Sequence, residues 1–141
     1  MKIRELNSQY SLANNLTPNN MQTFYPATVY ISGKITGMPN LNKYKFEAAE
    51  KHLKHFGYDV INPHKLPDDH DKTWESYMRE CTKALSGANM VVVLDCWKNS
   101  RGAIREVMMA NFLGIPVVDI QTMSDVHVPF LLKVKLLLNL I

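Results

Sequence analysis

The stretch from Val91 to Glu106 constrains the fold more than any other part of the chain. Four consecutive apolar residues, Val91 to Leu94, three of them β-branched, run into Asp95 and read as a strand buried on both faces. A polar turn follows, in which Asn99 or Ser100 can cap a helix, and Gly102 keeps its first turn free of a side chain so that a ligand can approach the backbone. A helix opening presents unpaired N–H groups and the positive end of a dipole. That favours a phosphate, and it favours an ionised Glu106 available as nucleophile or base. An ordinary capped helix with a solvated Glu106 fits the same residues.

With 141 residues, 46% hydrophobic and 21% charged, the chain suits one compact domain with a single core. The net charge of +3 is spread along the sequence rather than gathered in a block, which argues against a nucleic-acid polymer and leaves a small anionic ligand compatible. Cys81 and Cys96 lack CxxC spacing and no charged-then-apolar leader opens the chain, so a reducing cytoplasm without a disulfide is expected. Residues 1–27, rich in Asn, Gln, Ser and Thr, read as an extension to a domain covering 28–141.

Strand-like and helix-like segments alternate through that domain. Strands are predicted at Thr28–Gly33, Tyr58–Ile61, Met90–Leu94 and Ile115–Ile120, and helices at about Asn42–Phe56, Thr73–Ser86 and Ser100–Leu113. In the first helix Phe46, Ala49, Leu53 and Phe56 share a face; in the second Trp74, Tyr77, Met78, Cys81 and Leu85 do. Such alternation implies an α/β fold, a parallel sheet of four to five strands with helices on both faces, in the manner of a flavodoxin or Rossmann-like three-layer sandwich. Ligands then sit beyond the carboxyl ends of the strands. Four loops are expected to meet there: Ser32 to Gly37, Asn62 to His64, Asp95 to Ser100 and Asp119 to Met123. The first carries glycines but neither GxGxxG nor GxxxxGK[ST], so no dinucleotide fingerprint or P-loop is present.

Two motifs at those strand ends, Tyr30-Ile31-Ser32-Gly33-Lys34-Ile35-Thr36-Gly37 and Ser100-x-Gly102-x-x-x-Glu106, resemble the nucleoside 2-deoxyribosyltransferase superfamily. The likeness covers roughly residues 28 to 120, includes Asn62-Pro63 and Trp74 with Tyr77-Met78, and is nearest to the small phage and bacterial members and the 2'-deoxynucleoside 5'-phosphate N-hydrolases. It implies that Glu106 is the nucleophile that attacks the anomeric carbon, with a base as acceptor in transfer and water in hydrolysis. It also implies that Tyr30 contacts substrate, although a core aromatic is the competing reading. Deoxyribosyltransferases carry an acid where this chain has Ser100, and the 5'-phosphate hydrolases carry serine, so Ser100 favours a monophosphate.

The chain departs from the family at two places, holding Cys81 where an aspartate is usual and Asn89 where the strand starts Ala-Asp. Asp95 is the remaining second carboxylate, a proton donor or orienting group, or else a turn former. The expected site therefore comprises Glu106 and Asp95 as catalytic groups. Tyr30, Ser32, Gly33, Lys34, Ile35, Gly37, Asn62, Ser100 and Gly102 hold a nucleotide or nucleoside. Neither a metal nor an organic cofactor is required. The loop holding His64, Asp68, Asp69, His70 and Asp71 lacks metal-ligand spacing and reads as surface. Phe130 to Ile141 is dense in aliphatic residues, but Lys133, Lys135 and Asn139 break the run, so it is not expected to span a bilayer. It reads as a buried or intersubunit segment of a homodimer or larger oligomer. The competing function is a non-catalytic protein that binds or sequesters nucleotides on the same scaffold.

Overall fold

A computed structural model describes residues 26–67, 73–126 and 138. The extension to residue 25, the acidic loop 68–72 and, apart from Leu138, the apolar tail lie outside the described residues, as do the expectations attached to them.

Four parallel strands, β1 (Thr28–Ser32), β2 (Asp59–Ile61), β3 (Met90–Val93) and β4 (Val117–Asp119), form one sheet in the order β2-β1-β3-β4. Three helices connect them: α1 (Lys43–His55), α2 (Trp74–Ser86) and α3 (Arg101–Phe112). Short 3-10 turns precede or follow them at Pro39–Asn42, Pro63–Lys65 and Trp97–Asn99. Every predicted element is present within two residues of its expected ends. Register places Tyr30 beside Val91 and Ser32 beside Val93, which brings the carboxyl ends of β1 and β3 together at the centre of the sheet.

The two-residue period of the strands sorts the core into two layers. Val29, Ile31, Met90, Val92, Leu94 and Val118 pack under Phe46, Ala49 and Leu53 of α1. Tyr30, Val91, Val93 and Val117 face Cys81 and Leu85 of α2 and Ala103, Ile104, Val107 and Ala110 of α3. This is the expected three-layer sandwich. The exception among the face predictions is Phe56, which is 64% exposed. The helix ends at His55, so Phe56 escapes the helical period and its ring meets those of His52 and His55 instead. Thr73 and Ser100 cap α2 and α3 by accepting from the backbone N–H of Ser76 and Ala103, at 3.1 Å each. No helix among the described residues is long and apolar enough to cross a membrane.

Candidate active site

The order β2-β1-β3-β4 puts the topological switch point between β1 and β3, because the chain leaves β1 toward one edge and later returns to the other side. A crevice of about 290 Å³ opens there, lined by Gly33 to Thr36 from the β1 loop, by Asn99 to Ala103 and Glu106 from the start of α3, and by Trp74, Tyr77 and Met78 from α2. Of the four loops expected to meet, those after β1 and β3 do so.

At the floor of the crevice lies Glu106, 6% exposed. Tyr30 and Ser32, two residues apart on β1, point to the same side of the sheet and both reach this carboxylate. Tyr30 Oη donates to Oε2, and Ser32 Oγ donates to Oε1 at 3.0 Å. Burial pushes the Glu106 carboxyl up to about 7, against the pull of those two hydrogen bonds, which favour the ionised form. Desolvation thus outweighs the hydroxyl donors and works against the ionised form that a helix opening favours. Tyr30 is raised well above the usual phenol range by burial and by the neighbouring Glu106. Cys81, buried behind it, is pushed up to about 11 for the same two reasons, while Tyr30 and Tyr77 hydrogen bond to it and act the other way. Cys81 thus stands close enough to this carboxylate to feel its charge.

Ser100, Gly33, Lys34, Ile35 and Gly102 are where the sequence places them, on the crevice wall. Gly37 lies just beyond, with φ +79° in the turn that ends the loop. The two glycines on the wall have packing reasons of their own. A Cβ on Gly33 would come within 2.9 Å of Leu94, and one on Gly102 would meet Met78 Sδ at 3.2 Å.

Asp95 and Asn62 stand elsewhere. Asp95 lines a separate groove beside α1, with Tyr44, Ala48, His52 and Gln121, and pairs with Lys45 at 2.9 Å. Hydrogen bonding to Lys45 holds its carboxyl below the usual range. The structure does not bring it to Glu106, because Asp95 turns toward α1 on one face of the sheet while Glu106 lies among α2 and α3 on the other. Asn62 is 3% exposed and turned inward, its Nδ2 donating to Glu50 Oε2 at 2.9 Å while its Oδ1 accepts from His64 N–H at 3.0 Å. Asn89 lies at the amino end of the sheet, accepting from Thr28 N–H at 2.8 Å. It is remote from the crevice by topology.

Sequence reasoning passed over Arg101 as a stacked residue. Its guanidinium lies 3.8 Å from the Trp74 ring centre, and Arg105 lies 5.5 Å from it. Arg101 and Lys34 line the crevice, whereas Arg105 lines the adjoining groove between α2 and α3. The signal was present as a Trp on α2 and two arginines four apart on α3, but only packing brings them together.

Residues 27–119 match the family described as Domain of unknown function (DUF4406). The chain belongs to this family. The DUF4406 fold is similar to that of the 2-deoxyribosyltransferase from the psychrotolerant bacterium Bacillus psychrosaccharolyticus, at 20% identity and a TM-score of 0.52, over 66% of this chain and 71% of that one. It is also similar to a conserved protein from Enterococcus faecalis V583, at 22% identity and a TM-score of 0.51, over 67% of this chain and 63% of that one. At these identities the likeness is one of fold, and the fold is the one the motifs implied. No curated protein sequence matches the chain.

Proposed function

We propose that this DUF4406 protein cleaves or exchanges the N-glycosidic bond of a 2'-deoxynucleoside 5'-monophosphate, with Glu106 as nucleophile. The observation that carries the reading is a carboxylate buried at the floor of an open crevice, held by two hydroxyls and poised near neutrality. A desolvated carboxylate is a stronger nucleophile than a hydrated one, and near pH 7 a large fraction is ionised. One Glu106 oxygen attacks the sugar C1' and forms a glycosyl ester as the C1'–N bond breaks; the bonding pair leaves on the base, which takes up a proton. Water or a second base then attacks C1', the ester oxygen departs with its pair, and the carboxylate is restored. Hydrolysis and transfer differ only in that acceptor.

The rest of the crevice fits a phosphorylated sugar. Ser100 accepts from Ala103 N–H and keeps its own O–H to donate, beside the free N–H groups that open α3. Lys34 and Arg101 line the same wall, where an acid at position 100 would repel a phosphate. Asp95, paired with Lys45 in the other groove, is left out of the chemistry.

Incubating the protein with the deoxynucleosides and their 5'-monophosphates, and separating free base by chromatography, tests the reading. Release from monophosphates faster than from nucleosides is the expected result, and no release from any of them overturns it. Binding without release supports the non-catalytic nucleotide binder instead, a reading favoured by the thiol of Cys81 at the place of the family's aspartate.

A further inference from the structure

The two loops that wall the crevice meet at one buried side chain that belongs to neither. Asn42, 6% exposed, donates from Nδ2 to the backbone carbonyl of Lys34 at 2.9 Å, and the same nitrogen lies 3.8 Å from Cys96 Sγ in the β3 loop. Asn42 occupies the N-cap position of α1, yet its side chain does not cap that helix. Its backbone is left-handed, with φ 60°, and follows Asn40 at φ 47° and Leu41 at φ 53°. Left-handed backbone is disfavoured for residues with a Cβ, and asparagine tolerates it best. Leu41 tolerates it poorly and is 50% exposed, so burial of its own side chain does not account for the conformation. Such strain persists where the surroundings over-determine it, and here it delivers the Asn42 carboxamide to the gap between the two loops.

We propose that Asn42 is a positioning residue, bracing the β1 loop against the β3 loop and so setting where Lys34 stands on the crevice wall. The inference rests on the reading of this crevice as a nucleotide site. Two variants of the full chain separate the carboxamide from the backbone. Asn42→Gly retains the freedom for positive φ and removes the amide, whereas Asn42→Asp keeps shape and turn preference but sets an acceptor against the Lys34 carbonyl.

The first readout is the rate at which N-ethylmaleimide labels Cys96, with buried Cys81 as the unreactive internal reference. The second is KM against kcat for the 2'-deoxynucleoside 5'-monophosphate that the wild type turns over fastest. Loss of one buried hydrogen bond that orders a binding loop is expected to raise both the labelling rate and KM by about tenfold, with kcat held within about threefold. Unchanged labelling in a variant with native circular dichroism overturns the brace. Faster labelling with unchanged KM, or a fall confined to kcat, overturns the positioning role. If Asn42→Gly does not fold, Asn42→Asp carries the same comparison. A wild type inert toward every monophosphate overturns the proposed function, and labelling, which needs no turnover, then decides the brace by itself.

Discussion

Glu106 and Glu50 are the same residue type with nearly the same exposure, 6% and 5%, and their carboxyls are driven in opposite directions. Glu50, on α1, accepts from Lys54 at 2.6 Å, from Lys65 at 3.0 Å and from Asn62 at 2.9 Å. Burial alone would raise it, but these three donors hold it down at about 2. Glu106 lies deeper, under two helices, and has two neutral hydroxyls and no cation among its hydrogen-bond partners in the described residues, and burial wins. A carboxylate with little exposure is thus either a structural tie or a reactive group according to its depth and to the charge placed against it. Glu50 ties the β2 exit to α1, and Asn62 belongs to that tie rather than to the crevice.

The largest break in this comparison comes from Glu106→Gln. Turnover should fall by about 10³-fold or more while nucleotide binding survives, since an amide of the same shape is no nucleophile. The folded carboxyl keeps its proton up to about pH 7 while an unfolded one loses it near 4.5, so protonation favours the fold. Stability is then lost as pH rises from about 4.5 to about 7, and the amide should raise stability at pH 8 by up to about 3 kcal/mol. Denaturant titration of both proteins at pH 8 measures this, and a destabilised variant contradicts the account.

Glu50→Gln should do the reverse. It is expected to cost about 2 kcal/mol, less than a fully buried pair because both lysines are half exposed, and to leave the folded protein active. A pH series sharpens the contrast further. The kcat/KM profile should drop about tenfold per unit below an apparent pKa near 7, whereas the Glu50 contribution to stability should fade only as pH falls from 4.5 toward 2. A flat profile between pH 5 and 8 would remove Glu106 from the rate-limiting ionisation.

Two smaller effects test the borders of the site. Ser100→Asp should weaken monophosphate binding by about tenfold more than nucleoside binding, through like-charge repulsion at the opening of α3. Calorimetric titration with both ligands decides it, and equal losses refute the phosphate assignment. Asp95→Asn should change turnover by less than about threefold, because it removes only an exposed pair with Lys45. A large loss there would return Asp95 to the mechanism.

Much of the fold was legible in the sequence. Apolar runs with β-branched residues marked the buried strands, Thr73 and Ser100 marked helix starts, and strand–helix alternation implied the parallel sheet. Ser100, Gly102 and Glu106 stood out locally, as a cap, a bare first turn and an acid after a buried strand, whereas Tyr30 and Ser32 were marked by the resemblance to the deoxyribosyltransferase motifs. The partition of polar loops was not legible. All four follow carboxyl ends of strands, and only strand order and helix handedness send Asn62 to Glu50 and Asp95 to Lys45 while leaving Gly33 to Thr36 beside Ser100.

The sequence by itself determined the period of each element, the residues at each turn and the presence of a glutamate in the second turn of a helix after a buried strand. Tertiary structure alone decided that this glutamate is buried among hydroxyls while Glu50 is buried among amines, and that Asn42 joins two loops far apart in the chain. Element type follows from neighbours along the backbone, within one or two turns. The ionisation of a carboxyl follows from which groups long-range packing sets against it, a quantity that no local pattern encodes.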